Sequence, residues 1–271
     1  MSNLEGIVRA VVFDWAGTIV DFGSRAPVGA FVELFRRHGI DISEPEARGP
    51  MGVAKRTHIA ELLALPRIAG EWHSRHGEAP DEPTIDRLYG EFIKLQSAIL
   101  TQYADVIPGV LQTIEELRGA GIGIGSTTGY SRPMMDLLEP AAKANGLSLD
   151  VVLTVDDVPR GRPAPWMALA AVQRMGVYPI RTCVKVGDTA VDMAEGLNAG
   201  MWTVGVTETG NEVGLSEQEL NAMPADQRVH AARQAEERLR KAGAHYVIPG
   251  VGHLIPVVAE INERIARGEH P

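Results

Sequence analysis

The sequence predicts an α/β fold, a doubly wound, mainly parallel, Rossmann-like core sheet with a helical cap inserted after its first strand. Short apolar runs rich in β-branched residues recur along the chain, and helical patterns separate most of them. One long interval near the amino terminus breaks this alternation and reads as helix throughout.

The first strand covers residues 8–13 and delivers Asp14 into a small-residue turn through Gly17 and Thr18, in "VVFDWAGTIVD". The helical interval follows, with "APVGAFVELFRRHG", "GVAKRTHIAELLAL" and "DEPTIDRLYGEFIKLQSAILTQY" as its strongest patterns. The last opens with an acidic turn suited to the positive end of a helix. The linkers "DFGSRAP" and "YADVIPGV" bound it, so residues 22–106 are expected to form a cap domain above the strand ends, with 1–21 and 107–271 as the core. Strands at 122–126, 151–155, 182–186, 202–206 and 246–248 then alternate with helices at 110–120, 132–145, 164–175 and 191–199. In such sheets the chemistry gathers at the carboxyl ends of the strands.

At 271 residues with 45% hydrophobic content the chain can bury a sizeable core, and 23% charged residues is ordinary for a soluble protein. A formal net charge of −9 argues against a broad nucleic-acid or anionic-membrane surface, but leaves room for a small anionic substrate. Cys183 is the single cysteine, in the strand-like "TCVKVGD", which excludes an internal disulfide and fits a reducing cytosol. "MSNLEGIVR" lacks the apolar stretch of a signal peptide, and no run approaches the roughly 20 apolar residues of a membrane span, so a soluble, cytoplasmic protein is expected.

Four constellations fall at the predicted strand ends. Asp14 is placed to attack phosphorus and form an acyl-phosphate, although taken alone it reads equally as a turn or capping aspartate. "GIGIGSTTGYSR" ends a strand in Ser126, Thr127 and Thr128 followed by Gly129, a loop able to cradle phosphate oxygens or an ordinary polar turn. In "DVPRGRPAPWMAL", Arg162 precedes a Pro-rich helix start, where it is either a fixed cation or a solvated surface side chain. In "VKVGDTAVDMAEGLNAG", Asp188 ends a strand and Asp192 opens a helix, a pair that can hold Mg²⁺ directly or through water, or cap the helix.

Taken in order, this set resembles the haloacid dehalogenase superfamily over nearly the whole chain. The resemblance implies an Asp14 nucleophile, Mg²⁺ bound by Asp14, the carbonyl of Ala16 and Asp188, and phosphoryl binding by the loop after the second strand. Two positions depart from the superfamily pattern: Arg162 stands where most members carry Lys, and Ala16 where they carry a second aspartate. With "DWAGT", "RGPMGVAKRTH", "GSTTGY", "DDVPRGRPAPWM", "KVGDT" and "GMWTVGV" the chain resembles the phosphonatase branch, whose members hydrolyse the P–C bond of phosphonoacetaldehyde. That resemblance implies a place in phosphonate (2-aminoethylphosphonate) degradation, and a homodimer, through apolar cap-helix faces that monomeric packing explains equally.

Ala16 then has a chemical reading. A phosphatase must protonate a leaving alkoxide, which is the work of the missing acid. A P–C bond leaves a carbanion instead, which needs an electron sink such as the protonated imine of a lysine and the aldehyde. An ester phosphatase or phosphomutase would lack its acid here, and a passive phosphate-binding protein would need neither Asp14 nor a reactive lysine. The five lysines are Lys55, Lys94, Lys143, Lys185 and Lys241. Lys55 alone follows a Pro-Met-Gly turn at a cap helix start, where the positive helix end and Arg56 are expected to lower its pKa. His58, three residues on, lies on roughly the same face and is a candidate proton relay. Arg162 is expected to grip phosphonate oxygens in a bidentate way, and Met51, Tyr130 and Trp15 to shape the pocket or simply pack.

Overall fold

A computed structural model describes residues 8–271; most of the "MSNLEGIVR" reading therefore lies outside the described residues. Six parallel strands form one sheet in the order β3-β2-β1-β4-β5-β6. They are β1 (Ala10–Phe13), β2 (Gly123–Thr127), β3 (Val151–Leu153), β4 (Cys183–Gly187), β5 (Trp202–Val206) and β6 (Tyr246–Ile248). The chain builds outward from β1 to β3, then returns to lay β4 on the other side of β1. That reversal opens a crevice between β1 and β4 at their carboxyl ends, the place where such sheets bind ligands. Phe13 is in register with both Ser126 and Val186, so the residues just after them converge there.

Alternation along β1 sorts the core into two layers. Val11 and Phe13 face one apolar cluster, with α6 (Val110–Gly119), α7 (Arg132–Ala144) and α12 (Leu254–Ala266). Ala10 and Val12 face the other, with Met167, Ala168, Ala171 and Val172 of α8 (Trp166–Arg174). On β4 and β5 packs α9 (Ala190–Ala199), and α10 (Glu217–Ala222) and α11 (Ala225–Lys241) fill the connection from β5 to β6. These last two were not marked by the sequence pattern. Helix α11 buries just Ala235 and Leu239, too thin an apolar stripe to read.

Between β1 and α6 run α1 (Arg25–Arg37), α2 (Glu44–Arg48), α3 (Lys55–Ala64), α4 (Pro66–His76) and α5 (Glu82–Ile99). Asp81 caps α5 by accepting the Thr84 N–H at 2.9 Å, as its acidic start led one to expect. Phe31, Leu34, Ile59, Leu62 and Phe92 bury the facing sides of α1, α3 and α5 against one another. Among the described residues no helix is long and apolar enough to cross a membrane.

Candidate active site

The crevice at the end of β1 is roofed by the start of α3 and spans about 300 Å³ of space free of protein atoms, the part open to solvent included. Asp14, Ala16, Arg162 and Asp188 line it from the sheet, Thr128, Gly129 and Tyr130 from the loop after β2, and Met51 and Lys55 from the helical layer. Lys55 is 4% exposed, Asp14 7% and Asp188 1%, so these groups have little contact with bulk solvent. Two glycines make the closure possible. A Cβ on Gly17 (φ 81°) would stand 2.1 Å from Asp188 Oδ2, and one on Gly129 would stand 2.7 Å from the Val53 carbonyl.

Burial and its neighbour Asp192 raise the pKa of Asp14, and burial with the charges of Asp14 and Asp192 pushes Asp188 well above the carboxylate range. Oxygens of Asp14, Asp188 and Asp192 lie within 4.8 Å of one another. Asp188 Oδ2 accepts the Asn211 N–H at 2.7 Å, while its buried Oδ1 has no hydrogen-bond partner among the described residues. A hard divalent cation fits this set, because it supplies the counter-charge that the crowded carboxylates lack. Asp192 is already engaged. Its Oδ2 accepts from the Thr189 hydroxyl at 2.5 Å, and its Oδ1 lies 2.9 Å from Arg162 Nη1 and 3.0 Å from Lys185 Nζ. Burial opposes its ionisation, but the two cations win and hold its pKa low.

Arg162 is held as a strut beside Asp14. Its Nη1 is 2.7 Å from Asp14 Oδ1, its Nε donates to Glu195 at 2.9 Å, and its Nη2 donates to the Thr127 carbonyl and hydroxyl at 2.7 Å each. Nη1 makes no well-aligned hydrogen bond among the described residues, but it lies at ion-pair distance from the carboxylates of both Asp14 and Asp192. The expected bidentate grip does not match this arrangement, because Glu195 and Thr127 occupy the other two nitrogens.

The three hydroxyls after β2 part company. Thr128 lines the cavity, with its Oγ1 accepting the Tyr130 N–H at 3.2 Å. Ser126 lies beneath, accepting from Trp15 Nε1 at 2.9 Å. Thr127 joins a fully buried network, receiving a bond from Lys185 Nζ at 2.9 Å and donating to Glu195 at 3.0 Å. Lys185 and Glu195 were not singled out by sequence reasoning. The available signal was a lysine at an inward position of the otherwise apolar "CVKVG".

Lys55 Nζ lies 3.7 Å from Met51 Sδ and 5.2 Å from the centre of the Tyr130 ring. Its pKa falls to about 8, through burial first; the charge of Asp14 works against the shift and that of Arg162 with it. Arg56 is not a cause, because it turns outward to Glu82 and Asp86 at 2.6 Å each. His58 is buried, stacked on Phe31 at 3.8 Å, with Nε2 at 2.9 Å from the Ala47 carbonyl and Nδ1 unpartnered among the described residues. Burial and the charge of Lys55 push its pKa to about 2, so the imidazole is neutral. A relay through His58 must therefore run through Nδ1 without a standing imidazolium.

The model for haloacid dehalogenase-like hydrolases matches residues 8–200. A phosphonoacetaldehyde hydrolase from Paraburkholderia xenovorans is 47% identical over 97% of this chain and 99% of its own. The chain belongs to the phosphonoacetaldehyde hydrolase family of haloacid dehalogenase-like hydrolases. A second member, from Nitratidesulfovibrio vulgaris, is 45% identical over 98% of this chain and 95% of its own. The crystal structure of a phosphonoacetaldehyde hydrolase-like protein from Oleispira antarctica superposes with a TM-score of 0.97 at 45% identity, covering 98% of this chain and 96% of that one. Membership makes the protein a hydrolase.

Proposed function

We propose that the protein hydrolyses phosphonoacetaldehyde to acetaldehyde and phosphate. The observation that carries this reading is one crevice holding a lysine with a lowered pKa, a strand-end aspartate, and alanine where an ester hydrolase needs an acid. The names of the relatives support it.

The unprotonated Lys55 amine adds to the aldehyde and loses water to give an imine, whose protonated form accepts electrons. Asp14 attacks phosphorus in line, held beside Arg162 Nη1, which meets charge growing on a phosphoryl oxygen. The P–C electron pair flows into the imine and leaves as an enamine, so no acid at position 16 is required. Protonation and hydrolysis of the enamine release acetaldehyde and the free amine, and water cleaves the aspartyl-phosphate. Asp14, the Ala16 carbonyl and Asp188 would hold Mg²⁺, with Asp192 acting through Arg162 and Lys185. When bound, the cation supplies positive charge opposite the phosphoryl group. Thr128, Gly129, Met51 and Tyr130 shape the site, and residues 22–106 serve as the cap that closes it.

The same reading places the enzyme in 2-aminoethylphosphonate degradation in the cytoplasm; the buried thiol of Cys183 is in keeping with a reducing compartment. A homodimer rests on the family resemblance. Phosphate release from phosphonoacetaldehyde and from p-nitrophenyl phosphate, measured side by side, tests the substrate. A strong preference for the phosphonate is expected; efficient ester hydrolysis without P–C cleavage would overturn the proposal.

A further inference from the structure

Arg48, the last residue of α2, ties together three separate parts of the chain. Its Nη1 donates to the Gly23 carbonyl at 2.9 Å and reaches the Asn211 Oδ1 at 3.2 Å, while its Nη2 donates to the Gly214 carbonyl at 2.8 Å. Gly23 belongs to the linker leaving β1, Arg48 to the helical layer, and Asn211 and Gly214 to the loop after β5 in the core. The contact is reciprocal, since Asn211 Nδ2 points back to the Arg48 carbonyl at 3.5 Å. All three of these acceptors are amide oxygens, so the guanidinium is spent on backbone and amide geometry instead of an ion pair.

Asn211 is also the residue whose backbone N–H holds Asp188 Oδ2 at 2.7 Å. A continuous path thus runs from the helical layer through Arg48 and Asn211 to a carboxylate of the acidic cluster. The linker beside Arg48 holds two residues in an unusual backbone conformation. Asp21 (φ 55°) and Ser24 (φ 51°) both sit in the left-handed region that non-glycine residues rarely adopt. Lys55, Asp14 and Arg162 are all buried beneath the helical layer, so full access to them would require that layer and the sheet to part. Parting draws Arg48 away from Asn211 and Gly214.

We propose that Arg48 is a positioning residue for Asp188. Closure seats its guanidinium on Asn211, which fixes the Asn211 N–H on Asp188 Oδ2 and leaves Oδ1 aimed for the cation, so that the carboxylate is set when the site is shut. This inference rests on Asp188 being a metal ligand, as read above.

Calorimetric titration of the full chain with Mg²⁺ alone, without substrate, separates the two. Arg48→Met should weaken Mg²⁺ binding about 10-fold, the low end of what partners of metal ligands contribute. Asn211→Leu, which keeps the backbone N–H and removes the side chain that Arg48 grips, should do the same. The double variant should be no weaker than either single one, because both act through one path. Arg25→Met, which breaks the exposed Arg25–Glu219 pair between α1 and α10, should leave Mg²⁺ binding unchanged. Thermal unfolding confirms that each variant folds; if Arg48→Met does not, Arg48→Lys, which cannot span the same acceptors, takes its place. Parental Mg²⁺ affinity in both Arg48→Met and Asn211→Leu would overturn the positioning role, as would fully additive losses. No Mg²⁺ binding by the parent would instead overturn the metal assignment beneath it.

Discussion

Arg162 Nη1 stands 2.7 Å from Asp14 Oδ1, and both side chains are buried. Burial works against the charge of Arg162, but Asp192, Asp14 and Glu195 overcome it and raise its pKa above the ordinary arginine value. Asp14 therefore faces a permanent cation whose orientation is fixed from behind.

Replacing that guanidinium by an ammonium tests whether orientation matters or charge alone suffices. Arg162→Lys keeps the charge but cannot hold Glu195, Thr127 and Asp14 at once. Phosphate release should fall by about 100-fold, a loss typical of one misplaced transition-state donor. Steady-state rates on phosphonoacetaldehyde check it, and a near-parental rate would show that the strut is dispensable.

The pH dependence follows from Lys55. Its pKa is lowered to about 8, so protonation is lost on passing upward through that value and the nucleophilic amine appears. At pH 7 roughly a tenth of the protein carries the free amine, against less than a thousandth for an ordinary lysine. The rate of imine formation should climb with pH from 6 to 8 and level off above. Rapid-mixing measurement of that step checks the limb; a flat profile would place the reactive nitrogen elsewhere.

Much of this site was legible in the sequence because strand ends carry it. Asp14 and Asp188 each follow a short β-branched run, and parallel pairing of β1 with β4 brings such positions together without help from distant residues. What was hidden depends on side chains that cross between elements. Glu195 sits one turn into α9, in a stretch that reads like any helix acid, yet it is fully buried because Arg162, Lys185 and Thr127 reach it from three directions. Arg56 misled for the converse reason: adjacency in sequence put it beside Lys55, while the helix turned it to solvent.

Ala16 offers a gain-of-function test. It lines the cavity beside Asp14, so Ala16→Asp adds bulk and a further acid to carboxylates already raised in pKa by burial. P–C cleavage should fall, by about 10-fold or more, while slow hydrolysis of an alkyl phosphate ester should rise, because an acid now serves the leaving alkoxide. Assay of the variant on both substrates checks it. Faster P–C cleavage would contradict the account of the missing acid.

The central claim is that Lys55 forms an imine with the substrate aldehyde, and reductive trapping tests it most directly. Borohydride added together with phosphonoacetaldehyde should inactivate the enzyme and leave a secondary amine that peptide mass mapping places on Lys55. Borohydride alone should leave activity nearly intact, and Lys55→Arg should lose both labelling and turnover. Labelling on Lys185 or another lysine would contradict the assignment of the site. Absence of any label, with turnover preserved in Lys55→Arg, would contradict the imine itself.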